Sequence, residues 1–301
     1  MPTKLGDFLR ARRARLRAED VGLPFDARRR VPGLRRSEVA ALAGISTEYY
    51  LRLEQGREHQ PSDQVMIALG RALRLDDDGV HHLTRLVRRG TPVRGQQRPS
   101  APQEVDDSVL ALLEQWENTP AVVLDACLDV LAANALASAL VPGMFRQGAN
   151  LLVSVVEGAP HAGDLESLWY DQAALIAAAL RFHGNPDDPR YIEIVSRLCE
   201  RDARFAVIWE LHDVKALVSG VVHIDVPAIG WTEIPWRILN VPRSPGQLLL
   251  VFWGDAGSPA RVVFDTLALR VAIARDDAVV ESGLTGVAPG ARDLDEAGSI
   301  V

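Results

Sequence analysis

The stretch from Arg35 to Arg57, RRSEVAALAGISTEYYLRLEQGR, constrains the chain more than any other. A small residue, a glycine and an apolar plug fall at offsets that suit two short helices crossing at a tight turn. Ala40 is small where the second helix must pass close to the first. Gly44 supplies the positive φ that the turn needs. Ile45 plugs the core from the turn, and Ser46 is placed to cap the second helix. Val39, Leu42, Tyr50 and Leu53 are expected to point inward and fix the angle between helices spanning Arg35 to Ala43 and Thr47 to Glu54. Thr47, Glu48, Leu51, Arg52 and Gln55 then remain on the outer face.

Charge supports a reading of that outer face. The net charge of −7 conceals an uneven distribution: through Arg98 there are 20 Lys and Arg against 12 Asp and Glu, and beyond it 13 against 28. A basic first third on an acidic remainder suits a head that meets double-stranded DNA and a body with another task. An exposed second helix in such a motif is positioned to enter a major groove. Arg52 is placed to read a guanine edge, a contact worth roughly 1–3 kcal/mol of discrimination, and Leu51 to touch a thymine methyl. Glu48 either accepts from cytosine or orients Arg52 four residues on. Ser46, Thr47 and the free amides at the helix start suit phosphates or bases, and Tyr49 suits the sugar-phosphate backbone. Arg35, Arg36, Arg57 and Arg28–Arg30 are candidates for phosphate contacts.

The rest of the chain divides around this motif. Leu5, Phe8, Leu9 and Leu16 give one apolar face to an arginine-rich helix, and two further helices are expected from Ser62 to Leu73 and from Asp77 to Arg89. Five helices thus fill residues 1–90. Residues 91–103, rich in Pro, Gly and polar residues, read as a linker. In residues 104–270 the pattern is mixed. A helix around Val109–Trp116 precedes strands at 121–125 and 128–132. Helices follow near 164–182, 189–199 and 202–212, then strands near 218–226, 232–239 and 248–253. That order argues for an α+β domain with one sheet. Residues 271–301 have weak periodicity and read as a loosely attached tail.

The 35–57 stretch, with its ending Leu53-Glu54-Gln55-Gly56-Arg57, resembles the phage-repressor-like (XRE-type) helix-turn-helix family. The second half resembles the MmyB-like ligand-binding domain of transcriptional regulators. The resemblance is carried by Trp116–Ala121, Asp129–Ala137, Asn150–Leu152, Pro186–Arg190, Phe205, Trp209, His212–Val214, Pro245–Leu250 and Gly257–Pro259. It implies a PAS-like α+β sensor with an internal pocket for fatty-acyl or similar apolar ligands. The apolar, aromatic run from Val221 to Leu239 and the segment after Val271 depart from the family pattern. Trp116, Trp169, Phe205, Trp209, Trp231, Trp236 and Trp253 are the candidates for lining a pocket, with ordinary core packing as the alternative for each. Asn134 is expected to cap a following helix.

Other chemistry is weakly represented. Adjacent His81 and His82 do not share a helix face, and neighbouring His212 and Asp213 point apart, so neither makes a metal pair or a His–carboxylate couple. His161 and His183 fall near loops. No metal or cofactor site is expected. Cys127 and Cys199 are isolated, which suits a reducing, cytoplasmic setting, and no run of apolar residues is long enough for a membrane span. Hydrolase, metalloprotease and phosphate-loop motifs are missing, so an enzyme is not expected. The expected entity is a homodimer reading half-sites about 34 Å apart, with ligand-modulated DNA affinity. The rival is an antitoxin-like DNA-binding module that grips a protein; an exposed apolar patch near Trp231 and Trp236, without an enclosed cavity, would favour it.

Overall fold

The computed structural model describes residues 3–24, 31–57, 60–89, 104–158, 166–226 and 229–285. The expected linker at 91–103, Arg28–Arg30 and His161 lie outside them.

The head contains α1 (Lys4–Arg15), α2 (Arg36–Leu42), α3 (Thr47–Glu54), α4 (Asp63–Ala72) and α5 (Asp77–Arg89). Each start has a chemical stop. Thr3, Ser46 and Ser62 accept from the backbone N–H three residues on, and Asp76 accepts from Gly79 N at 2.9 Å. Phe8, Leu9, Leu34, Val39, Tyr50, Leu53, Leu69 and Leu83 form the buried centre. Gly6 marks where α1 meets the end of α3: a Cβ there would lie 2.2 Å from the Glu54 carbonyl oxygen. The expectation that Leu42 points inward fails, since it is 40% exposed. The inward face of α2 is set by Val39, Ala40 and Ala43, one turn apart, and Leu42 falls at its edge.

The second domain opens with α6 (Asp107–Gln115), then β1 (Ala121–Leu124) and β2 (Val130–Ala133). Five helices follow: α7 (Ala135–Leu140), α8 (Leu151–Glu157), α9 (Glu166–His183), α10 (Pro189–Arg201) and α11 (Ala203–Glu210). The chain returns through β3 (Ser219–Val226), β4 (Gly230–Asn240) and β5 (Leu248–Phe252) and finishes the described residues with α12 (Pro259–Thr285). All five strands form one antiparallel sheet in the order β2-β1-β5-β4-β3. Alternation assigns its two faces. Val122, Leu124, Ile234, Leu250 and Phe252 meet α7–α12, whereas Ala121, Val123 and Leu249 meet Leu113 of α6.

Two asparagines tie the elements together. Asn134 Oδ1 accepts from Ala137 N at 2.9 Å, capping α7 as expected, and its Nδ2 donates to the carbonyls of Trp116 and Thr119. Asn150 caps α8 and donates to Cys127 O and Asp129 Oδ1. The loose tail expected from Val271 is corrected by α12, which runs unbroken to Thr285. Its inward face ends with Val263, Phe264 and Leu267, while Leu269 and Ile273 are exposed. Val271, Ala272 and Arg275 border a cleft shared with Leu113, Glu114 and Trp116 at the end of α6.

The head sits against the second domain through α1, α5 and the turn before α5. Arg12 Nη1 pairs with Asp213 at 3.0 Å, Arg15 with the same carboxylate, and Lys4 with Asp187. Arg85 donates to the carbonyls of Phe182 and Gly184 at the end of α9, and Val214 is buried in the head's own core. His183 and His212 lie along this seam. Burial, together with Arg85 for His183 and Arg181 for His212, pushes each down to about 4. Their folded values lie below the ordinary 6.5, so the stability they contribute is full above about pH 6.5 and is lost as pH falls towards 4. Moving from pH 7.5 to 5 is expected to cost up to about 2 kcal/mol for each. Asp125, raised by burial to about 6, works in the opposite sense. The histidine part is therefore read as the difference in urea midpoints between the wild type and a His183→Gln/His212→Gln variant. Parallel pH profiles for the two would refute it.

Candidate functional site

The outer face of α3 is built by the inner one. Glu54, at the C-terminal end of the helix, has a side chain only 2% exposed. Arg13 Nε and Arg36 Nε each donate to it at 2.7 Å. Burial raises a carboxyl, but here the hydrogen bonds and charges of the two arginines outweigh it and hold Glu54 below the usual range. Arg13 also donates to Leu34 O at 2.8 Å, so α1, the start of α2 and the end of α3 share one knot. Tyr50 lies fully buried beside it, its hydroxyl pushed up by burial and by Glu54.

This knot fixes which residues of α3 face out. Ser46, Thr47, Glu48, Arg52, Gln55 and Arg57 are exposed, Tyr49 and Leu51 half-buried. Ser46 Oγ accepts from Tyr49 N at 3.1 Å, and Gly44 adopts φ 64° in the turn. Arg52 leans over the Tyr49 ring, 5.7 Å from its centroid; among the described residues it forms no ion pair with Glu48. Arg36 is engaged by Glu54, and Arg35 N donates to Glu38 Oε2 at the start of α2. Among the described residues, contacts with the second domain come from α1, α5 and the turn before α5, which leaves this face open.

The second site is a cavity of about 280 Å³ between α8, α9 and the sheet. Phe145, Leu151, Ile176, Leu217, Trp236, Leu250 and Phe252 line it, with Gln172, His223 and Asp225 as the polar groups. It continues into an outer cleft of about 590 Å³ through the shared residues Val141, Met144, Val155, Gln172, His223 and Trp231. His223 Nε2 lies 3.1 Å from Glu233 Oε1 at the mouth. An apolar interior with few polar groups at one end suits an amphipathic or apolar small molecule.

The seven aromatic candidates separate. Trp231, Trp236 and Trp169 come together around this cavity and cleft. Trp169 is fixed by its Nε1 donating to Val155 O at 3.1 Å and by Arg204 stacked 4.2 Å from its ring. Phe205 is fully buried and stacks on Trp209, which also carries the Arg181 guanidinium 3.8 Å from its ring and meets Tyr191 edge-on. Both lie in core contacts of α11 rather than on the cavity. Trp116 borders a separate cleft between α6 and α12, and Trp253 is exposed outside these cavities. The cavity residues not anticipated include Phe145 and Phe252 as well as Met144, Val155, Ile176 and Leu217, which look like any core residue in sequence.

No helix among the described residues is long and apolar enough to cross a membrane. No curated protein matches the chain. Two family models do. Residues 4–83 match a helix-turn-helix domain, and residues 105–267 match the MmyB-like transcription regulator ligand binding domain. Both are domains of a transcription regulator rather than of an enzyme. Since the second match spans more than half of the sequence, the chain belongs to the family of MmyB-like transcription regulators, with their ligand-binding domain set behind a helix-turn-helix domain.

Proposed function

We propose that the protein is an XRE-type regulator that reads double-stranded DNA with α3 and whose DNA affinity is set by a small apolar, fatty-acyl-like ligand in a PAS-like sensor domain. The observation that carries this reading is the pairing of an open, basic recognition face with a mostly apolar cavity in a separate domain. One antiparallel sheet with helices closing over the cavity supports the PAS-like architecture. The burial of Trp236 weighs against the antitoxin-like alternative, while Trp231, 53% exposed, and Val221, 54% exposed, stand at the cavity's open mouth. The protein acts as a homodimer in this reading, one head per half-site. Ser46, Thr47, Glu48, Tyr49, Leu51, Arg52 and Gln55 meet the groove, with Arg35, Arg36 and Arg57 towards phosphates. Arg36 does so only with the part of its guanidinium that Glu54 leaves open.

Arg52 tests the DNA half. Arg52→Ala is expected to cut the preference for DNA upstream of the protein's own gene over random DNA by about ten-fold or more. The dependence on salt, which counts phosphate contacts, should change little. Competition binding by fluorescence anisotropy reads both. Undiminished preference would remove Arg52 from base readout.

A further inference from the structure

The residues from Asp213 to Leu217 touch both the head and the ligand cavity. Asp213 takes Arg12 and Arg15 of the head, while Arg181 Nη1 of α9 donates to its carbonyl at 2.6 Å. Val214 is buried in the head's core. Lys215 lies 3.4 Å from Asp78, and Ala216 N donates to Asp78 Oδ2 at 3.0 Å. The next residue, Leu217, is a buried wall of the ligand cavity, and its N–H is held by His183 Nε2. The chain then enters β3, whose Val221–Asp225 continue that wall. Four consecutive residues on the head and a fifth in the cavity leave little slack: lifting Val214 out of the head cannot leave Leu217 undisturbed, at about 3.3 Å of chain per residue.

We propose that Asp213–Leu217 is the strap that couples the pocket to the head. The inference rests on the cavity being the ligand site. When the head is seated the strap completes the cavity wall, and when the head leaves Leu217 is withdrawn and the cavity loses that part of its apolar lining. A ligand packed against Leu217 therefore binds the seated form more tightly, and seating and occupancy favour each other. Such coupling is reciprocal, so a change on the head, remote from the cavity, must alter ligand affinity.

The test uses the intact protein and dodecanoate as probe, with affinity measured by calorimetry. Arg12→Gln/Arg15→Gln removes the head's grip on Asp213 without touching the cavity or α3. It is expected to weaken dodecanoate binding about five-fold or more. Asp213→Asn should do the same, and combining it with the arginine changes should add nothing further. Val214→Ala, which thins the anchor in the head, gives an independent route to the same loss. Affinity unchanged in all of these variants overturns the strap while leaving the ligand site standing. No binding of dodecanoate by the wild type overturns the ligand site, and the strap falls with it.

Discussion

Replacing Glu54 with alanine is expected to destabilise the head by about 3–5 kcal/mol, the usual cost of removing one partner from a buried ion pair. The carboxylate is almost wholly withdrawn from water and holds two arginines from different elements. Without it Arg13, whose side chain is 15% exposed, keeps only the Leu34 carbonyl among the partners described above. Arg36, half-exposed, can return to water, so the loss falls mainly on the α1–α3 contact. All six tryptophans, Trp116 the first of them, lie in the second domain, so tryptophan fluorescence follows that domain and is nearly blind to this change. Hydrogen exchange at Leu53 and Leu9 is the measure. Exchange at those amides should approach that of an open head, with specific DNA binding lost. Protection within about 1 kcal/mol of the wild type would show that the knot contributes little.

Phe205→Ala carries a comparable cost in the other domain. Removing a fully buried phenylalanine typically costs about 3–5 kcal/mol, from lost transfer energy and the cavity left behind. Phe205 also braces Trp209, on which the buried Arg181 guanidinium rests, and burial lowers that group to about 10. Here tryptophan fluorescence is the suitable probe, because Trp209 reports directly. Urea unfolding should shift by that amount, while the protein that remains folded should bind dodecanoate within about two-fold of the wild type. A large loss of affinity with little loss of stability would place Phe205 on the ligand rather than in the core.

That contrast bears on how far the sequence could be read. Helices and strands were legible because their causes are local. Ser46, Ser62 and Asp76 stop the chain where helices start, the alternation of β4 follows the pleat, and β1 and β5, covered on both faces, read as short continuous apolar runs. The recognition face was legible for the same reason, since Ala40, Gly44, Ile45 and Ser46 fix it within one short stretch. The pocket was not. Its walls come from α8, α9, β3 and β5, brought together only by the sheet order, and Phe205 and Trp231 are equally aromatic in sequence but lie in different surroundings. The seam between the domains was illegible too, because Asp213 and Val214 have meaning only opposite Arg12, Arg15 and the head's core. The continuation of α12 past Val271 escaped because Leu269 and Ile273 put apolar residues on its exposed face, so no one-sided apolar pattern marks the helix there.

The central claim is that a ligand in the second domain alters what the head does to DNA, and one titration addresses it. Labelled DNA from upstream of the protein's own gene is titrated with intact protein, with and without saturating dodecanoate, across a salt series. The account expects the DNA dissociation constant to differ by about five-fold or more between the two conditions, with the steep salt dependence of phosphate contacts in both. Saturating the pocket with no change in DNA affinity at any salt concentration would contradict it.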